Sequence, residues 1–243
     1  MLILVRSIAF NVLFYLNTLV YLIIALPTFF LPYRAIMAVA KSWGRTNVVL
    51  LRLVTGIDCE IRGREKIPSG PLIVAAKHQS AWETFALLPL FDNPLFIVKR
   101  ELQWIPIFGW LMIKGRMVPV DRSAGAQTLT AMTERARLEL ARGRQLIIFP
   151  EGTRRPAGAE PRYKFGIAHL YAAEGVPCVP IALNSGLFWP RRSIRRLPGT
   201  VLVEILDPIP PGLDRDVFFK RLQHDLEPAT ARLIAESKSA GSR

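Results

Sequence analysis

The sequence predicts an α/β protein, with a mixed sheet covered by helices, preceded by an N-terminal two-helix membrane-associated element. Three observations support this fold class. Residues Ser7 to Tyr33 carry no charged side chain, short apolar runs alternate with helical stretches after Asp58, and two of those stretches end at Gly143 and Gly175. We therefore predict membrane-anchoring helices over residues 1–56 and an α/β domain over residues 57–243.

The uncharged N-terminal run is long enough to cross a hydrocarbon core, which needs roughly 20 apolar residues. It ends in PTFFLPYR, whose bulky side chains differ from the small-residue site at which a signal peptide is cleaved. Pro27 and Pro32 predict a break, and a second helix is predicted from Arg34 to Thr55. A single span that leaves the rest of the chain in the cytoplasm and a re-entrant pair of helices both fit the flanking basic residues.

The second predicted helix carries its cations on one stripe. Arg34, Lys41, Arg45 and Arg52 fall within about 20° of a common direction at 100° per residue. Such a stripe is typical of an interfacial helix on anionic lipid, and also of a surface helix packed on the protein core.

Charge and cysteine content narrow the function classes. The formal net charge of +13 favours an anionic partner, such as nucleic acid, a membrane surface or a phosphorylated substrate. No nucleic-acid motif is present, so we expect no nucleic-acid partner. Cys59 and Cys178 are predicted to be reduced, packed thiols, and no Cys/His cluster has zinc spacing. The basic loop at residues 187–196 fits a solvated loop, a membrane contact or a site for the phosphates of coenzyme A.

The α/β part follows from short apolar runs and longer helical stretches. Strands are predicted in residues 59–68, as a short strand followed by a turn, and in residues 71–78, 94–102, 117–122, 144–152, 176–183 and 200–209. Helices are predicted in residues 126–143, 162–175 and 216–238, the last interrupted at Pro228.

The stretch KHQSAWETF, residues 77–85, combines two patterns. Ser80 followed by Glu83 is a capping box, whereas His78 with a nearby carboxylate is typical of a general base. If Ser80 is the N-cap, His78 lies in the loop after a strand and Glu83 lies in the first helical turn. The carboxylate can then reach a His78 ring nitrogen or a backbone N–H, so the spacing leaves a catalytic pair and a plain capping box both open.

A second polar stretch, FPEGTRR, follows the apolar run LIIF. Gly152 lets the backbone approach a ligand closely, and Arg154 offers a planar fork for a phosphate. Basic residues also occur in KREL, which begins at Lys99, and in VDR, which ends at Arg122. Each of these stretches alone is equally typical of a solvated turn.

Together, the strings HQSAWE, KREL..IP..G, VDR, FPEGTR and VPIAL occur in an order that resembles the glycerolipid acyltransferase family. The resemblance covers roughly residues 60–210 and is strongest to the 1-acyl-sn-glycerol-3-phosphate (lysophosphatidic acid) acyltransferases. The first motif of that family is a histidine, four residues and an aspartate. Here the pair is His78 and Glu83, and Lys77 stands where the family often has asparagine.

The resemblance implies a role for each matching residue. His78 is the implied general base and Glu83 its orienting partner. The implied phosphate-binding residues are Arg154, Arg122 and Lys99, with Glu151, Gly152 and Thr153 completing the loop. No metal or cofactor is implied, because the acyl donor, acyl-CoA or acyl carrier protein, is a substrate.

The implied function is transfer of an acyl group from an acyl thioester to the free hydroxyl of 1-acyl-glycerol-3-phosphate, giving phosphatidic acid. The implied partners are the lysophospholipid acceptor, the thioester donor and the bilayer, with the catalytic domain on the cytoplasmic side of a bacterial inner membrane. Alternatives are an acyltransferase for glycerol-3-phosphate or another lyso-lipid, and a non-enzymatic basic membrane-binding protein. A hydrolase is disfavoured, because the sequence has no G-x-S-x-G elbow.

Overall fold

A seven-stranded sheet lies at the centre of the chain, in a computed structural model that describes residues 1–121 and 125–240. In spatial order its strands are β1 (Ile57–Arg62), β7 (Gly199–Ile205), β6 (Cys178–Leu183), β2 (Leu72–Ala76), β5 (Gln145–Ile148), β3 (Pro94–Lys99) and β4 (Val118–Val120). Strands β6 and β7 pair antiparallel, and the other neighbouring pairs are parallel. The predicted mixed sheet is therefore confirmed.

Helices cover both faces of the sheet. On one face lie α1 (Leu2–Ala25), α2 (Tyr33–Thr55) and α3 (Glu83–Ala86), with α4 (Phe108–Lys114) beside them. On the other face lie α5 (Gly125–Leu140), α6 (Gly166–Glu174) and α7 (Arg215–Ala240). Strand β2 is buried on both sides, since Leu72 and Val74 face the first layer while Ile73 and Ala75 face the second. Burial on both faces explains why this strand is apolar throughout.

The two N-terminal helices form an antiparallel hairpin against the sheet. Pro27 lies in the 3₁₀ turn Leu26–Phe30, which ends α1, and Pro32 immediately precedes α2. At the open end of the hairpin, the Arg6 Nε donates to the Val54 carbonyl at 2.6 Å. The stretch Leu2–Phe30 has the length and composition of a membrane-crossing helix, and 11% of its most apolar window is buried. The re-entrant pair and the single span both stay predictions.

A basic loop fixes the start of α1 to the sheet domain. The Arg196 guanidinium lies 3.9 Å from the centre of the Trp189 ring and donates to the Asn11 side chain at 2.8 Å. The Arg196 N–H also donates to the Ser7 hydroxyl at 2.8 Å. Burial lowers the pKa of Arg196 to about 10. Arg196 is thus a structural contact between this loop and α1.

The cations of α2 do not share one environment. Arg34 and Arg45 are exposed, whereas Lys41 donates to the Asp92 carbonyl at 3.1 Å and Arg52 pairs with Asp58 at 3.2 Å. The opposite side of the helix places Met37 and Leu51 in the core. This helix therefore packs on the protein core, as one of the two sequence-based alternatives predicted.

Helix α7 continues through Pro228, and the predicted interruption is wrong. Apolar side chains on both sides of the proline, among them Leu222, Leu226 and Leu233, are fully buried in one core. That packing stabilises the helical conformation on both sides although proline removes a hydrogen bond from the helix.

The two cysteines are separate and free, as expected from the sequence. Cys59 lies in β1 and Cys178 in β6. Burial raises the pKa of the Cys59 thiol to about 12, and burial also raises the pKa of Cys178. Both are therefore protonated, packed thiols at neutral pH.

A buried arginine before β5 links the amino ends of β5, β3 and β4. Arg144 is fully buried and donates to the carbonyls of Gly115 and Pro94 at 3.0 and 2.9 Å. Its charge is paired with the fully buried Glu139 at 3.0 Å. Burial lowers the pKa of Arg144, because a charged guanidinium loses its contact with water. The pairing with Glu139 offsets this loss of solvation and stabilises the charged form.

We predict that Glu139→Gln lowers the free energy of unfolding by about 3–5 kcal/mol, because it leaves a buried cation uncompensated. Urea unfolding in detergent, followed by circular dichroism, measures the change. Glu134→Gln is the control on the same helix, since its pair with Arg137 is exposed on both sides and is expected to matter little. Equal stability of the two variants would contradict this account.

Candidate active site

The site forms where two adjacent parallel strands end. His78 follows β2, Glu151 follows β5, and β2 pairs with β5 in the middle of the sheet. The His78 N–H donates to the Glu151 carboxylate at 3.0 Å, and the His78 carbonyl accepts from the Arg155 N–H at 2.8 Å. The two polar stretches singled out in the sequence are therefore in direct contact through their backbones.

The His78 ring has a fixed orientation. It stacks on the Phe149 ring with centroids 4.0 Å apart and planes 13° from parallel. Phe149 stacks in turn on Phe96 of β3. This arrangement leaves the imidazole half-buried at the border between the polar loops and an apolar cavity.

Glu83 is fully buried among hydrogen-bond donors. Its carboxylate accepts from the backbone N–H groups of Gln79 at 2.7 Å and Ser80 at 3.0 Å. The hydroxyls of Ser80 and Ser185 also donate to it, at 3.0 and 2.9 Å. Burial raises the pKa of Glu83, and the bonds from these donors oppose that rise by favouring the ionised form. The carboxylate thus makes the backbone contact of a capping box, and its pairing with the His78 ring stays a prediction.

The helix after His78 starts later than the Ser80 cap predicts. Helix α3 begins at Glu83, with Trp82 as its first flanking residue. The Ser80 hydroxyl accepts from the Trp82 N–H at 2.9 Å and so closes a turn ahead of the helix. Because this hydroxyl is fully buried and bonded to Glu83, it is placed as a structural group rather than a nucleophile.

Lys77, which departs from the usual family asparagine, lies in a buried charge cluster. Its ammonium contacts Glu151 and Glu227, each at 2.8 Å, and lies 5.2 Å from the centre of the Tyr163 ring. Tyr163 donates to Glu227, and burial together with that bond raises the pKa of the tyrosine. Glu151 thus bridges Lys77 and the His78 N–H, while Glu227 connects the cluster to α7.

The predicted phosphate residues lie on the surface near this cluster. Thr153 and Arg154 are exposed, and Gly152 has φ +65°, which favours glycine. Lys99 pairs with Glu101 at 2.7 Å and is half-exposed. The Glu151 side chain is instead buried between Lys77 and His78. Arg122 lies outside the described residues.

An apolar cavity of about 390 Å³ leads from His78 along the sheet face to the N-terminal hairpin. Its volume falls within the range of ligand pockets, about 300–1,000 Å³. Its walls include Phe149 and Lys99 near the histidine and Ala25, Met37 and Met112 farther away. An acyl chain is the kind of ligand that such a long apolar space can hold.

The comparisons with known proteins agree with this arrangement. A family model described as Acyltransferase matches residues 58–184. A 1-acyl-sn-glycerol-3-phosphate acyltransferase from Pseudomonas aeruginosa is 39% identical over 176 residues, covering 72% of this chain and 68% of that protein. The chain belongs to the acyltransferase family.

Two further relatives extend the comparison. The human 1-acyl-sn-glycerol-3-phosphate acyltransferase alpha is 28% identical over 204 residues, or 81% of this chain and 72% of that protein. The crystal structure of a 1-acyl-sn-glycerophosphate acyltransferase from Thermotoga maritima superposes with a TM-score of 0.77 at 23% identity. It covers 94% of this acyltransferase and 97% of its own chain, so the whole fold is shared. The prediction that the chain is an acyltransferase is confirmed, and a non-enzymatic membrane binder is correspondingly disfavoured.

Sequence reasoning missed two contacts of this acyltransferase site. Ser185 follows β6 and reaches Glu83 across 102 positions of sequence, and Glu227 reaches Lys77 across 150. The polar pair Asn184 and Ser185, which directly follows the buried strand VPIAL, was the available signal for Ser185. Glu227 lies within a charged helix, where its sequence pattern resembles that of any solvated acid.

We predict that Ser185→Ala shifts the acid limb of the kcat/KM profile to higher pH. The lost hydroxyl favoured ionised Glu83, so its removal raises the pKa of that carboxyl further. Stability is expected to fall by about 2 kcal/mol, as for other hydrogen bonds to charged groups.

Thr55→Ala is the matched control, because Thr55 is a buried hydroxyl that donates to the Leu51 carbonyl. Its loss is expected to lower stability without moving the pH profile. An unshifted profile in Ser185→Ala would show that the ionisation of Glu83 does not govern activity.

Proposed function

We propose that this acyltransferase moves an acyl group from an acyl thioester to the free hydroxyl of 1-acyl-glycerol-3-phosphate, forming phosphatidic acid. The observation that carries the proposal is the position of His78, between an apolar cavity and a loop that presents Arg154. The printed names of the Pseudomonas and human relatives support the same acceptor.

The chemistry requires a base, because a lipid hydroxyl is a poor nucleophile at neutral pH. In the proposed step, neutral His78 accepts the hydroxyl proton while the oxygen forms a bond to the thioester carbonyl carbon. The carbon–sulfur bond then breaks, and the imidazolium returns the proton to the leaving thiolate. Atoms and charge balance without an acyl-enzyme, in keeping with the structural role of Ser80.

Glu83 is the proposed orienting group for the histidine. An ionised carboxylate beside the loop stabilises the imidazolium that forms as the hydroxyl attacks. The four donors around Glu83 hold it in place and favour its charged form, which this role needs. The longer side chain of glutamate, compared with the family aspartate, is accommodated by this surrounding shell.

The phosphate of the acceptor is proposed to bind the surface cations. Arg154 is exposed next to the left-handed turn at Gly152, and Lys99 stands at the border of the cavity. A guanidinium can hold a phosphate through two parallel hydrogen bonds, which fixes the position of the attacked hydroxyl. Arg122 is proposed as a further phosphate ligand on its motif match.

The apolar cavity is proposed to hold the acyl chain of the donor. It begins at His78 and ends between α1, α2 and α4, so a chain bound along it places the thioester at the histidine. The carrier part of the donor, coenzyme A or acyl carrier protein, stays outside the cavity, and these contacts do not distinguish the two carriers. We further propose that the site works at the cytoplasmic face of a bacterial inner membrane.

We predict that His78→Ala lowers kcat/KM by about 10²- to 10⁴-fold, the usual contribution of a general base.

Arg154→Ala is expected to raise the acceptor KM about tenfold or more, since it removes a charge-assisted contact to phosphate. Acyl transfer to lysophosphatidic acid, measured with radiolabelled donor, checks both.

His169→Ala and Arg137→Ala are the controls for the two substitutions. His169 lies on α6 and contacts Arg215 of α7. Arg137 lies exposed on α5. Near-normal turnover in His78→Ala would refute the base assignment, and an unchanged acceptor KM in Arg154→Ala would remove the phosphate role. If the protein acylates glycerol-3-phosphate and does not acylate lysophosphatidic acid, glycerol-3-phosphate is the acceptor.

A further inference from the structure

Helix α4 is apolar on its inner and outer faces up to its last residue, Lys114, although it lies at the surface. Its inner side chains Leu111 and Met112 are 7% exposed and border the cavity. Its outer side chains Trp110 and Ile113 are 55% and 56% exposed. A surface helix of a water-facing domain normally carries polar residues on its outer face, so an apolar outer face indicates a second apolar environment.

The turn before α4 extends the same surface. Trp104 is 77% exposed and Ile105 is 46% exposed. We call Trp104, Ile105, Trp110 and Ile113 the outer patch. Exposed apolar residues scattered singly need no explanation, but four large ones within ten positions indicate an interaction surface.

The outer patch is joined to the N-terminal hairpin. Lys114, the last residue of α4, donates to the Phe29 carbonyl at 3.1 Å. The next residue, Phe30, is 93% exposed. Leu111 packs in one cluster with Ala25 and Ile36. The apolar surface of α1 therefore continues across the 26–31 turn to α4.

Composition and charge fit a lipid interface rather than a hydrocarbon interior. Tryptophan is enriched where a membrane meets water, because its ring is apolar and its N–H is polar. Residues 99–121 carry four cations, Lys99, Arg100, Lys114 and Arg116, against two acids, Glu101 and Asp121, which pair with Lys99 and Arg100. Arg34, exposed near the 26–31 turn, adds to them. Such a balance suits the anionic surface of a leaflet.

We propose that the outer patch is a second membrane contact, which inserts into the same leaflet as α1. Lys99, Leu102 and Phe108, which come from the same segment, border the cavity. Insertion of the patch therefore brings the segment that borders the cavity to the lipid surface, where the lysophospholipid acceptor resides. The proposal depends on the membrane association of α1 and is independent of acyl transfer.

Tryptophan fluorescence tests the contact directly. The protein is bound to mixed phosphatidylcholine–phosphatidylglycerol vesicles that contain a brominated phosphatidylcholine, which quenches nearby indoles. We expect strong quenching in the parent chain and clearly weaker quenching in Trp104→Phe/Trp110→Phe, whose remaining tryptophans are the partly buried Trp43 and the buried Trp82 and Trp189. Equal quenching of the two proteins, with both bound to vesicles, would overturn the proposal.

A second variant tests whether the patch contributes to binding. Trp104→Ser/Trp110→Ser is expected to bind the same vesicles about tenfold more weakly, since it removes two partly buried apolar side chains from lipid. Val217→Ser is the control, because Val217 is 53% exposed on α7, on the opposite layer. Unchanged vesicle affinity in the double variant would contradict the proposal.

The remaining outcomes separate this proposal from others. Turnover of a short-chain, water-soluble acceptor is expected to stay normal in the double serine variant. Loss of that turnover would assign the two tryptophans to the active site and overturn a role confined to lipid contact. A dimer in detergent that becomes monomeric in the double variant, without quenching by brominated lipid, would assign the patch to a second copy and overturn the lipid contact.

Discussion

One buried carboxylate holds the site together. Glu151 accepts from the Lys77 ammonium with one oxygen and from the His78 N–H with the other. These contacts join the ends of β2 and β5, the two strands at the middle of the sheet. Without them, the loop that carries the histidine and the loop that carries Arg154 would be linked mainly through the Arg155 N–H and the His78 carbonyl.

Buried charges are costly unless each has partners, so the cluster also constrains distant parts of the chain. Lys77 has a second carboxylate partner in Glu227, which requires α7 to pack at the same edge of the sheet. Glu83 needs donors from two loops, after β2 and after β6, to offset its complete burial. The polar groups of the site therefore fix the relative positions of β2, β5, β6 and α7. The apolar hairpin closes the other side of the cavity.

Several elements were predictable because their cause is local. The run LIIF and the apolar stretch LIVAA are buried on both faces of a sheet, and such strands are recognisable from composition alone. The motif strings also located His78 and the Gly152 loop, since they follow those strands directly. The start of α3 at Glu83 was not predictable from the capping box, because the Ser80 hydroxyl serves a tighter turn.

Other features depend on contacts that are distant in sequence. The role of Lys77 rests on Glu227, and the continuation of α7 through Pro228 rests on apolar packing along its length. Neither contact produces a pattern among residues that are close in sequence, so neither can be predicted from a motif. The division at residue 56 stays a prediction, although Phe10 and Leu51 of the hairpin lie in the same core as β2.

The central claim is that the apolar cavity delivers an acyl chain to His78. A thioether analogue of the acyl donor, with a photoreactive diazirine at the end of its chain, tests this claim by mass spectrometry of the labelled peptides. The account predicts labels where the cavity lies against α2 and α4, in residues 36–40 and 111–112, and competition by unmodified donor. Labels confined to α5, α6 or α7, on the opposite face of the sheet, would contradict it.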